Sequence, residues 1–279
     1  MFIGAHLSTK DGFGKLPENA RKLGLVTYQF FSKNQMQWKG KIINEEEAKL
    51  HRENMVKYDI KMPAIHASYL LNLGSPEEDK LKRSYGAFLD EIERAEKLGV
   101  ERLVFHPGAH MGSGEKVALD RIVESINDAA ESTRGYRTRM LIENTAGQGS
   151  VVGYSLEHLS YILDHVSRKE RIGFCIDTCH IFQAGYDISH DYDGVMNQID
   201  SQIGLNNVLA FHLNDSKYAF NRHLDRHENL GKGVLSKEFY VQLFGSKKLE
   251  KVPCYLETPE GEEGYPKDLE FLRSLGISL

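Results

Sequence analysis

Eight short apolar runs, separated by longer segments of helical periodicity, constrain the fold of this chain more than any other feature. The runs lack the strict apolar–polar alternation of half-exposed strands, which is typical of parallel strands covered on both faces. The predicted strands are Met1–Ala5, Val26–Phe31, Pro63–His66, Arg102–His106, Met140–Glu143, Ile172–Ile176, Val208–His212 and Val252–Glu257.

The clearest helix between these strands is predicted from Pro76 to Leu98. Ser75 and Glu78 have the spacing of a capping box, and Gly99 is a stop signal. Five apolar residues recur three or four positions apart, as on one helical face: Leu81, Tyr85, Phe88, Ile92 and Ala95. Weaker helices are predicted over Ile43–Tyr58, Glu115–Ser132, Ser155–Val166, Ser236–Phe244 and Pro266–Leu275.

Strands and helices alternate along the whole chain, which predicts an α/β fold, a (β/α)8 TIM barrel. Residues 1–279 contain no linker, low-complexity stretch or internal repeat, so we expect a single domain. With 41% hydrophobic and 27% charged residues, the chain can bury a large core. The alternative is a two-domain α/β protein with the same local pattern.

The sequence also argues against export and membrane insertion. No apolar run reaches the roughly 18 residues of a membrane span. The N-terminal residues lack the pattern of a signal peptide. The three cysteines cannot all pair and form no CxxC motif, which is typical of a reducing cytosol. We therefore predict a cytoplasmic protein with no membrane partner.

The predicted strands end in side chains that commonly bind metal ions. In a TIM barrel, the C-terminal ends of all strands meet at one mouth, where active sites lie. Strands three to eight, with the loop after strand seven, would bring together His66, His106, Glu143, Asp177, His180, His212, Asp225, His227 and Glu257. A single histidine at a strand end is usually a hydrogen-bonded structural residue. Six consecutive strand ends of this kind favour a metal cluster at the C-terminal mouth.

Five imidazoles and four carboxylates would repel or desolvate one another in one mouth without counterions. Divalent cations resolve this problem, and these ligands suit Zn²⁺ and also Mn²⁺ or Fe²⁺. Nine candidates exceed one tetrahedral site, so we expect two or three ions with bridging carboxylates. Cys179 is interpreted as a packing residue, and His6 as a lining residue that binds no metal. Four other histidines are expected at the surface: His51, His158, His165 and His190.

Other mouth loops carry side chains suited to nucleic-acid contacts. Lys33, Asn34 and Gln35 offer hydrogen-bond donors to phosphate or sugar oxygens. Tyr69 and Leu70 are either a wedge that unstacks bases or simple packing at the barrel end. Positive charge near strand seven comes from Lys217, Arg222, Arg226 and Lys232. These cations are either DNA contacts or an ordinary solvated loop face.

The net charge of the chain is a weak argument against binding to nucleic acid. A formal charge of −5 argues mildly against a generic nucleic-acid binder. Three bound Zn²⁺ would change this value to +1, so part of the acidic balance reflects candidate metal ligands. Affinity for DNA would then come from a local mouth of metal ions, lysine and arginine, and should weaken with salt.

Eight motifs carry a resemblance to a known family. They are FSKNQ, HASYLLNLG, FHPGAH, LIENTAGQG, IDTCHIFQAGYD, HLNDSK, DRHENLG and LET, and they extend in order from about Phe31 to Glu257. With these motifs the sequence resembles the endonuclease IV family of abasic-site (AP) endonucleases. LIENTAGQG and the DTCHxFxAGYD pattern are the most specific of the eight.

The resemblance implies a TIM barrel that holds three zinc ions, with every ligand position of the family pattern present. The implied ligand sets are His66, His106 and Glu143; Glu143, Asp177, His212 and Glu257; and His180, Asp225 and His227. Glu143 would bridge the first two ions. We hypothesise that Glu143 holds the attacking water between these ions and that Glu257 orients it, which makes both catalytic candidates.

The implied activity is cleavage of the phosphodiester 5′ to an abasic site in duplex DNA, which leaves a 3′-hydroxyl. The resemblance also implies trimming of blocked 3′ ends, a monomeric state and a role in base excision repair. The candidate DNA-contacting residues are Lys33, Asn34, Gln35, Met36, Tyr69, Leu70, Lys217 and Arg226.

Met36 departs from the family pattern, in which an arginine at this position enters the DNA stack. Methionine can also intercalate as an apolar wedge, so we expect nicking to survive. The departure bears on how strongly the protein holds flipped-out DNA and not on the chemistry of cleavage.

Two other functions are compatible with parts of this pattern. Xylose-isomerase-like barrels also gather histidine and carboxylate at the mouth, where two divalent ions serve sugar chemistry. Asp225 with His227, and the wedge of Tyr69 and Leu70, have no use in such an enzyme. A non-catalytic protein that binds damaged DNA is the third possibility, and the complete ligand set argues against it.

Overall fold

Eight parallel strands form one sheet in the computed structural model, which describes residues 1–279. The strands are β1 (Phe2–Ala5), β2 (Gln29–Phe31), β3 (Ala64–His66), β4 (Arg102–Phe105), β5 (Arg139–Glu143), β6 (Ile172–Asp177), β7 (Val208–His212) and β8 (Pro253–Leu256). Neighbours in sequence are neighbours in the sheet, and β8 returns to pair with β1. A parallel bridge from His6 to Gln29 links the remaining seam. The predicted TIM barrel and its eight strands are therefore confirmed.

Helices follow the strands around the outside of the barrel. They are α1 (Leu16–Lys22), α2 (Glu45–Lys57), α3 (Glu78–Leu98), α4 (Glu115–Ser132), α5 (Leu156–His165), α6 (Thr178–Gln183), α7 (Tyr192–Ile203), α8 (Lys237–Gly245) and α9 (Tyr265–Ser274). Six of the nine helices match predicted ones, whereas α1, α6 and α7 were not predicted. None of the nine combines the length and apolar character needed to cross a bilayer.

Helix α3 shows where local signals succeed and fail. Phe88, Ile92 and Ala95 are fully buried, as their spacing predicts. Gly99 ends the helix in the left-handed region at φ 72°, a conformation that suits glycine. The predicted capping box is wrong, because the helix begins at Glu78 and Ser75 lies too early to cap it. The Ser75 hydroxyl instead accepts a hydrogen bond from the backbone N–H of Glu77 at 3.3 Å.

Candidate metal centre

The candidate site is the top layer of the barrel interior. Six strands each contribute one buried side chain to the layer below it: Ala64, Val104, Leu141, Cys175, Ala210 and Tyr255. Because successive strand residues point to opposite faces, the residue two positions later faces the interior again. Those residues are His66, His106, Glu143, Asp177, His212 and Glu257. The strand periodicity alone therefore brings six predicted ligands together.

Helix α6 adds a seventh predicted ligand. Asp177, the last residue of β6, caps this helix: its Oδ1 accepts a hydrogen bond from the His180 N–H at 2.8 Å. His180 therefore lies on a helix just beyond the end of β6. Its Nδ1 is 3.0 Å from the Asn144 carbonyl, so Nδ1 donates there and Nε2 faces the mouth. Cys179 is fully buried, and burial raises the pKa of its thiol to about 12, which supports a packing role.

The loop after β7 supplies the last two predicted ligands. It folds back through a short antiparallel pair in which Asp215–Ser216 lies beside His227–Glu228. This pairing brings Asp225 Oδ1 to 3.1 Å from His180 Nε2. His227 Nε2 lies 3.5 Å from the same carboxylate oxygen. Three residues distant in sequence thus converge at one point of the mouth.

All nine predicted ligands fall into three of the five overlapping groups of possible ligands in the structure; the other two groups are His66, His212 and Glu257, and Asp177, Cys179 and His227. Within each set, one potential ligand atom per residue lies within 4.8 Å of every other. The sets are His66, His106 and Glu143; Glu143, Asp177, His212 and Glu257; and His180, Asp225 and His227. Imidazole nitrogens and carboxylate oxygens at this density are the donors that zinc and similar divalent cations take in proteins. The donor chemistry of the site therefore fits divalent metal ions.

Glu143 lies between two of these sets. Its Oε2 is 3.1 Å from both His66 Nε2 and His106 Nε2. Its other oxygen, Oε1, is 2.8 Å from His212 Nδ1. One buried carboxylate therefore faces two groups of imidazoles, the arrangement expected of a bridging ligand.

The electrostatics of the cluster favour charged side chains despite burial. Burial alone would raise the pKa of the Glu143 carboxyl, but His212 and His106 outweigh it and hold this pKa well below its usual range. Burial alone would lower the pKa of His180, but the carboxylates of Asp177 and Asp225 raise it well above its usual value. The anionic carboxylates thus attract positive charge, which is supplied either by protons on the imidazoles or by metal ions.

A cavity of about 610 Å³ opens over this cluster. It exposes seven of the nine predicted ligands, whereas Asp177 and His212 lie beneath it, fully buried. Lys217, Arg226 and Tyr69 line the same cavity, so three candidate DNA-contacting residues face the space above the cluster. The cavity is open to solvent and brings cations, an aromatic ring and metal-binding donors together.

The two loops after β2 and β3 carry the other candidate DNA contacts. Met36 is 70% exposed and Tyr69 is 53% exposed, so both side chains are accessible from solvent. The Tyr69 ring lies 5.4 Å from the His66 ring, centroid to centroid, beside the mouth. Leu70 and Gln35 are half-buried, and Asn34 is exposed. These positions suit a wedge next to the metal centre, although packing at the barrel end explains Leu70 equally well.

Lys33 lies differently from the other candidates. Its side chain is buried, and its Nζ is 2.6 Å from Asp90 Oδ2 and 3.4 Å from Glu91 Oε1. The ammonium therefore faces helix α3 rather than the mouth. A contact between Lys33 and DNA stays a prediction, and it would require this ion pair to open.

Two histidines outside the ligand sets have clear structural partners. His51 was expected at the surface, which is wrong: this residue of α2 is fully buried against the end of α3. Its Nε2 accepts a hydrogen bond from the Tyr28 hydroxyl at 2.7 Å, and its Nδ1 donates to the Leu98 carbonyl at 2.9 Å. The same expectation is wrong for His158, whose side chain is only 11% exposed. His6 is half-buried beside Glu257, with His6 Nδ1 3.4 Å from Glu257 Oε1, but it is not among the residues that line the cavity.

Three buried amides that hold the predicted ligands were not predicted from the sequence. Asn144 directly follows the end of β5, Asn214 lies two residues after the end of β7, and the side-chain Nδ2 of Asn214 donates to Asp177 Oδ2 at 2.7 Å. Their positions one and two residues after a predicted ligand, in LIENT and HLND, are a usable signal. Gln29 faces the interior from β2 and contacts both His212 and Glu257. Gln29 lies at the start of its strand, so a search of strand ends does not single it out.

Comparison with known proteins finds similar sequences and similar structures over nearly the whole chain. A family model described as "Xylose isomerase-like TIM barrel" matches residues 17–275. A protein of Phocaeicola vulgatus named "Probable endonuclease 4" is 43% identical over 276 residues, covering 98% of each chain. The crystal structure of endonuclease IV from Thermus thermophilus matches with a TM-score of 0.88 and 31% identity, covering 99% of this chain and 98% of that one. A D-tagatose 3-epimerase-like protein, at TM-score 0.74 and 19% identity over 99% and 97% of the chains, shares the fold alone.

Proposed function

The chain belongs to the endonuclease IV family of TIM barrels, and from this membership we propose that it is an AP endonuclease. It hydrolyses the phosphodiester 5′ to an abasic site in duplex DNA and leaves a 3′-hydroxyl. The observation that carries the proposal is the position of Glu143, whose two carboxylate oxygens face imidazoles of two different ligand sets. A third set, His180, Asp225 and His227, exceeds what a two-metal sugar isomerase needs.

Three zinc ions are the proposed cofactors, with Mn²⁺ or Fe²⁺ as alternatives in some sites. The three ligand sets described above would hold them, with Glu143 shared between two. When bound, such ions supply the Lewis acidity that activates a water at neutral pH and offsets the charge of a phosphate. Neutral imidazole and carboxylate ligands, together with an open cavity above them, support this assignment.

Glu257 is the second proposed catalytic residue beside Glu143. Its Oε1 accepts a hydrogen bond from Gln29 Nε2 at 2.7 Å, which fixes the carboxylate. Its Oε2 lies 3.2 Å from His212 Nδ1, and the residue lines the cavity. A carboxylate held in this way can orient the water for in-line attack and accept its proton.

The cavity rim supplies the proposed contacts with DNA. Lys217 and Arg226 face the cavity, where they would meet phosphates on either side of the lesion. Tyr69, Leu70 and Met36 would fill the gap left in the stack when the abasic nucleotide is extruded. An abasic nucleotide has no base to unstack or unpair, so its extrusion costs little and supplies selectivity.

The proposal also covers a second activity, the domain organisation, the oligomeric state and the location of the protein. The protein would also trim blocked 3′ ends, because the same cluster can hydrolyse a phosphodiester at a strand terminus. We further propose that residues 1–279 act as one catalytic domain and that the protein is a cytoplasmic monomer in base excision repair. The exposed apolar residues of the mouth, Met36 and Tyr69, are then explained by DNA rather than by a second subunit.

The deciding experiment is cleavage of a duplex with one abasic-site analogue, using protein as purified and no added metal. A matched duplex without the lesion is the control. We expect a single nick 5′ to the lesion that survives brief EDTA treatment and that a DNA polymerase can extend from its 3′-hydroxyl. Absence of the nick in protein with a full metal content, measured by elemental analysis, would overturn the proposal.

A further inference from the structure

Gln29 occupies, on β2, the layer that holds predicted metal ligands on six other strands. It is fully buried, and its amide lies between two of those ligands. The amide Nε2 donates to Glu257 Oε1 at 2.7 Å, and the amide Oε1 is 2.9 Å from His212 Nε2. A third contact, from Nε2 to His6 Nδ1, measures 3.2 Å. Both ends of this side chain are therefore engaged inside the site.

The chemistry of an amide gives these contacts a fixed direction. A carboxylate only accepts hydrogen bonds, so the amide NH₂ must face Glu257 and the amide oxygen must face His212. An amide oxygen also only accepts, so His212 must carry its hydrogen on Nε2. The other nitrogen, Nδ1, then faces Glu143 and Glu257 at 2.8 and 3.2 Å. Nδ1 is thereby the nitrogen available to a metal ion.

We propose that Gln29 is a positioning residue of the metal centre, which sets the tautomer of His212 and the orientation of Glu257 through one amide. The inference rests on the proposed function in one respect: His212 and Glu257, the two partners of Gln29, are proposed metal ligands. Removal of a residue that hydrogen-bonds to a metal ligand typically weakens metal affinity by about 10- to 100-fold.

The hydrogen bonds that hold β2 in the sheet come from the backbone and not from the side chain of Gln29. The main chain of Gln29 already pairs with Ala64 of β3, and its carbonyl accepts from the Leu7 N–H at 2.8 Å. These backbone hydrogen bonds join β2 to the chain on both sides of it in the barrel and do not involve the side-chain amide of Gln29. Replacing the side chain therefore leaves the barrel seam intact and removes the contacts to His212 and Glu257.

The test compares Zn²⁺ affinity in wild-type protein, Gln29→Met and Thr27→Val. Methionine has nearly the shape of glutamine but cannot make the two hydrogen bonds. Thr27 is the matched control, because it is buried two residues before Gln29, just ahead of β2, and its hydroxyl has no hydrogen-bond partner. Titration with a chelating dye should show about 10- to 100-fold weaker retention of zinc in Gln29→Met. Thr27→Val should match wild type.

A double-mutant cycle separates positioning from a general loss of stability. If Gln29 acts through His212, then Gln29→Met should cost clearly less zinc affinity in a His212→Ala background than in wild type. Gln29→Ala provides a second variant if the methionine variant folds poorly. Unchanged zinc retention in a folded Gln29 variant, or full additivity with His212→Ala, would overturn the inference. Because these readouts need no DNA, a failure to nick abasic duplex would count against the proposed function alone.

Discussion

At the scale of single residues, Glu143 connects two ligand sets through one buried carboxylate. Glu143→Gln keeps the shape of the side chain but replaces an anionic oxygen with an NH₂ group, which cannot bind a cation. Replacing a residue that only supports a metal ligand already lowers metal affinity or activity by up to about 100-fold. Because Glu143 is itself a proposed ligand, we expect the single-turnover cleavage rate to fall by more than about 100-fold. The measurement uses abasic duplex and records metal content in the same preparation.

The matched control for this variant is Glu53→Gln, which makes the same chemical change at an exposed site on α2. It should cleave at the wild-type rate. A cleavage rate of Glu143→Gln close to that of wild type would contradict the assignment of this carboxylate.

His51 gives a prediction about pH that is separate from the metal centre. Burial lowers the pKa of its imidazole from 6.5 to about 4, so the folded protein holds this residue neutral. Between these two values the unfolded chain binds more protons than the folded one, and the free energy of unfolding therefore falls as the pH falls. The loss across this window is about 3 kcal/mol. It is absent above the unfolded pKa and complete below the folded pKa.

The comparison variant is His51→Gln, because glutamine can also accept from the Tyr28 hydroxyl and donate to the Leu98 carbonyl but does not titrate. Denaturant unfolding of both proteins in chelator at pH 7, 5.5 and 4.5 should show a smaller decline for the variant. Parallel declines would show that His51 does not carry this dependence.

The residues that could be predicted from the sequence differ from the others in one physical respect. His66, Glu143 and His212 end apolar runs, and a period of two residues places them on the inner face of the barrel. The environment of His51 depends on Tyr28 and Leu98, which are distant in sequence, so its own helix gave no sign of burial. Such partners become visible only when the helices are packed against the barrel.

At the scale of elements, helix α3 holds two mouth loops in a fixed relation. Arg94 on this helix donates from Nε to Ser32 Oγ at 2.8 Å and from a terminal nitrogen to the Lys41 carbonyl at 2.8 Å, which fixes the loop after β2. The Ser68 hydroxyl, on the loop after β3, donates to the Gln35 carbonyl at 2.6 Å. These hydrogen bonds fix the positions of the two loops, and with them the positions of the exposed residues Met36 and Tyr69.

Arg94→Lys tests whether this support matters for DNA. Lysine keeps the charge but cannot reproduce the fork of hydrogen bonds, so stability should fall by about 2 kcal/mol. We expect KM for abasic duplex to rise while kcat and metal content remain near wild type, because the ligands are not touched. Steady-state kinetics and elemental analysis provide the readouts.

Arg21→Lys is the matched control, since Arg21 also donates to two backbone carbonyls, those of Tyr58 and Asp59, away from the mouth loops. It should lose stability without a change in KM. If both variants raise KM equally, the two loops do not depend on α3 for DNA binding.

Helix α6 could not be predicted from the sequence because it lacks an amphipathic signal. All six residues of α6, Thr178–Gln183, are buried, so the segment has no polar face to mark it as a helix. Its only local sign is Asp177, which is both the end of β6 and the N-cap of α6. Helix α7 did carry a usable signal, with an Asp191 cap followed by Val195, Met196 and Ile199 at helical spacing.

At the scale of the whole molecule, the ligand cluster concentrates charge inside the barrel. Four carboxylates and five imidazoles share one layer and the loop above it. A metal ion that binds only the folded protein stabilises it, by about 4 kcal/mol when its free concentration is a thousand times its dissociation constant. The folded state of this protein should therefore depend on metal ions as well as on its core.

Removal of the metal ions should lower the melting temperature by on the order of 10 °C, and added Zn²⁺ should restore it. Calorimetry of the protein before chelation, after chelation and after zinc is returned measures this effect. Glu143→Gln provides the internal comparison: because two ligand sets lose a shared carboxylate, its melting temperature should respond less to chelation. Equal melting temperatures with and without metal would contradict ions held by the folded barrel. A large shift that is identical in Glu143→Gln would instead place the stabilising ions away from Glu143.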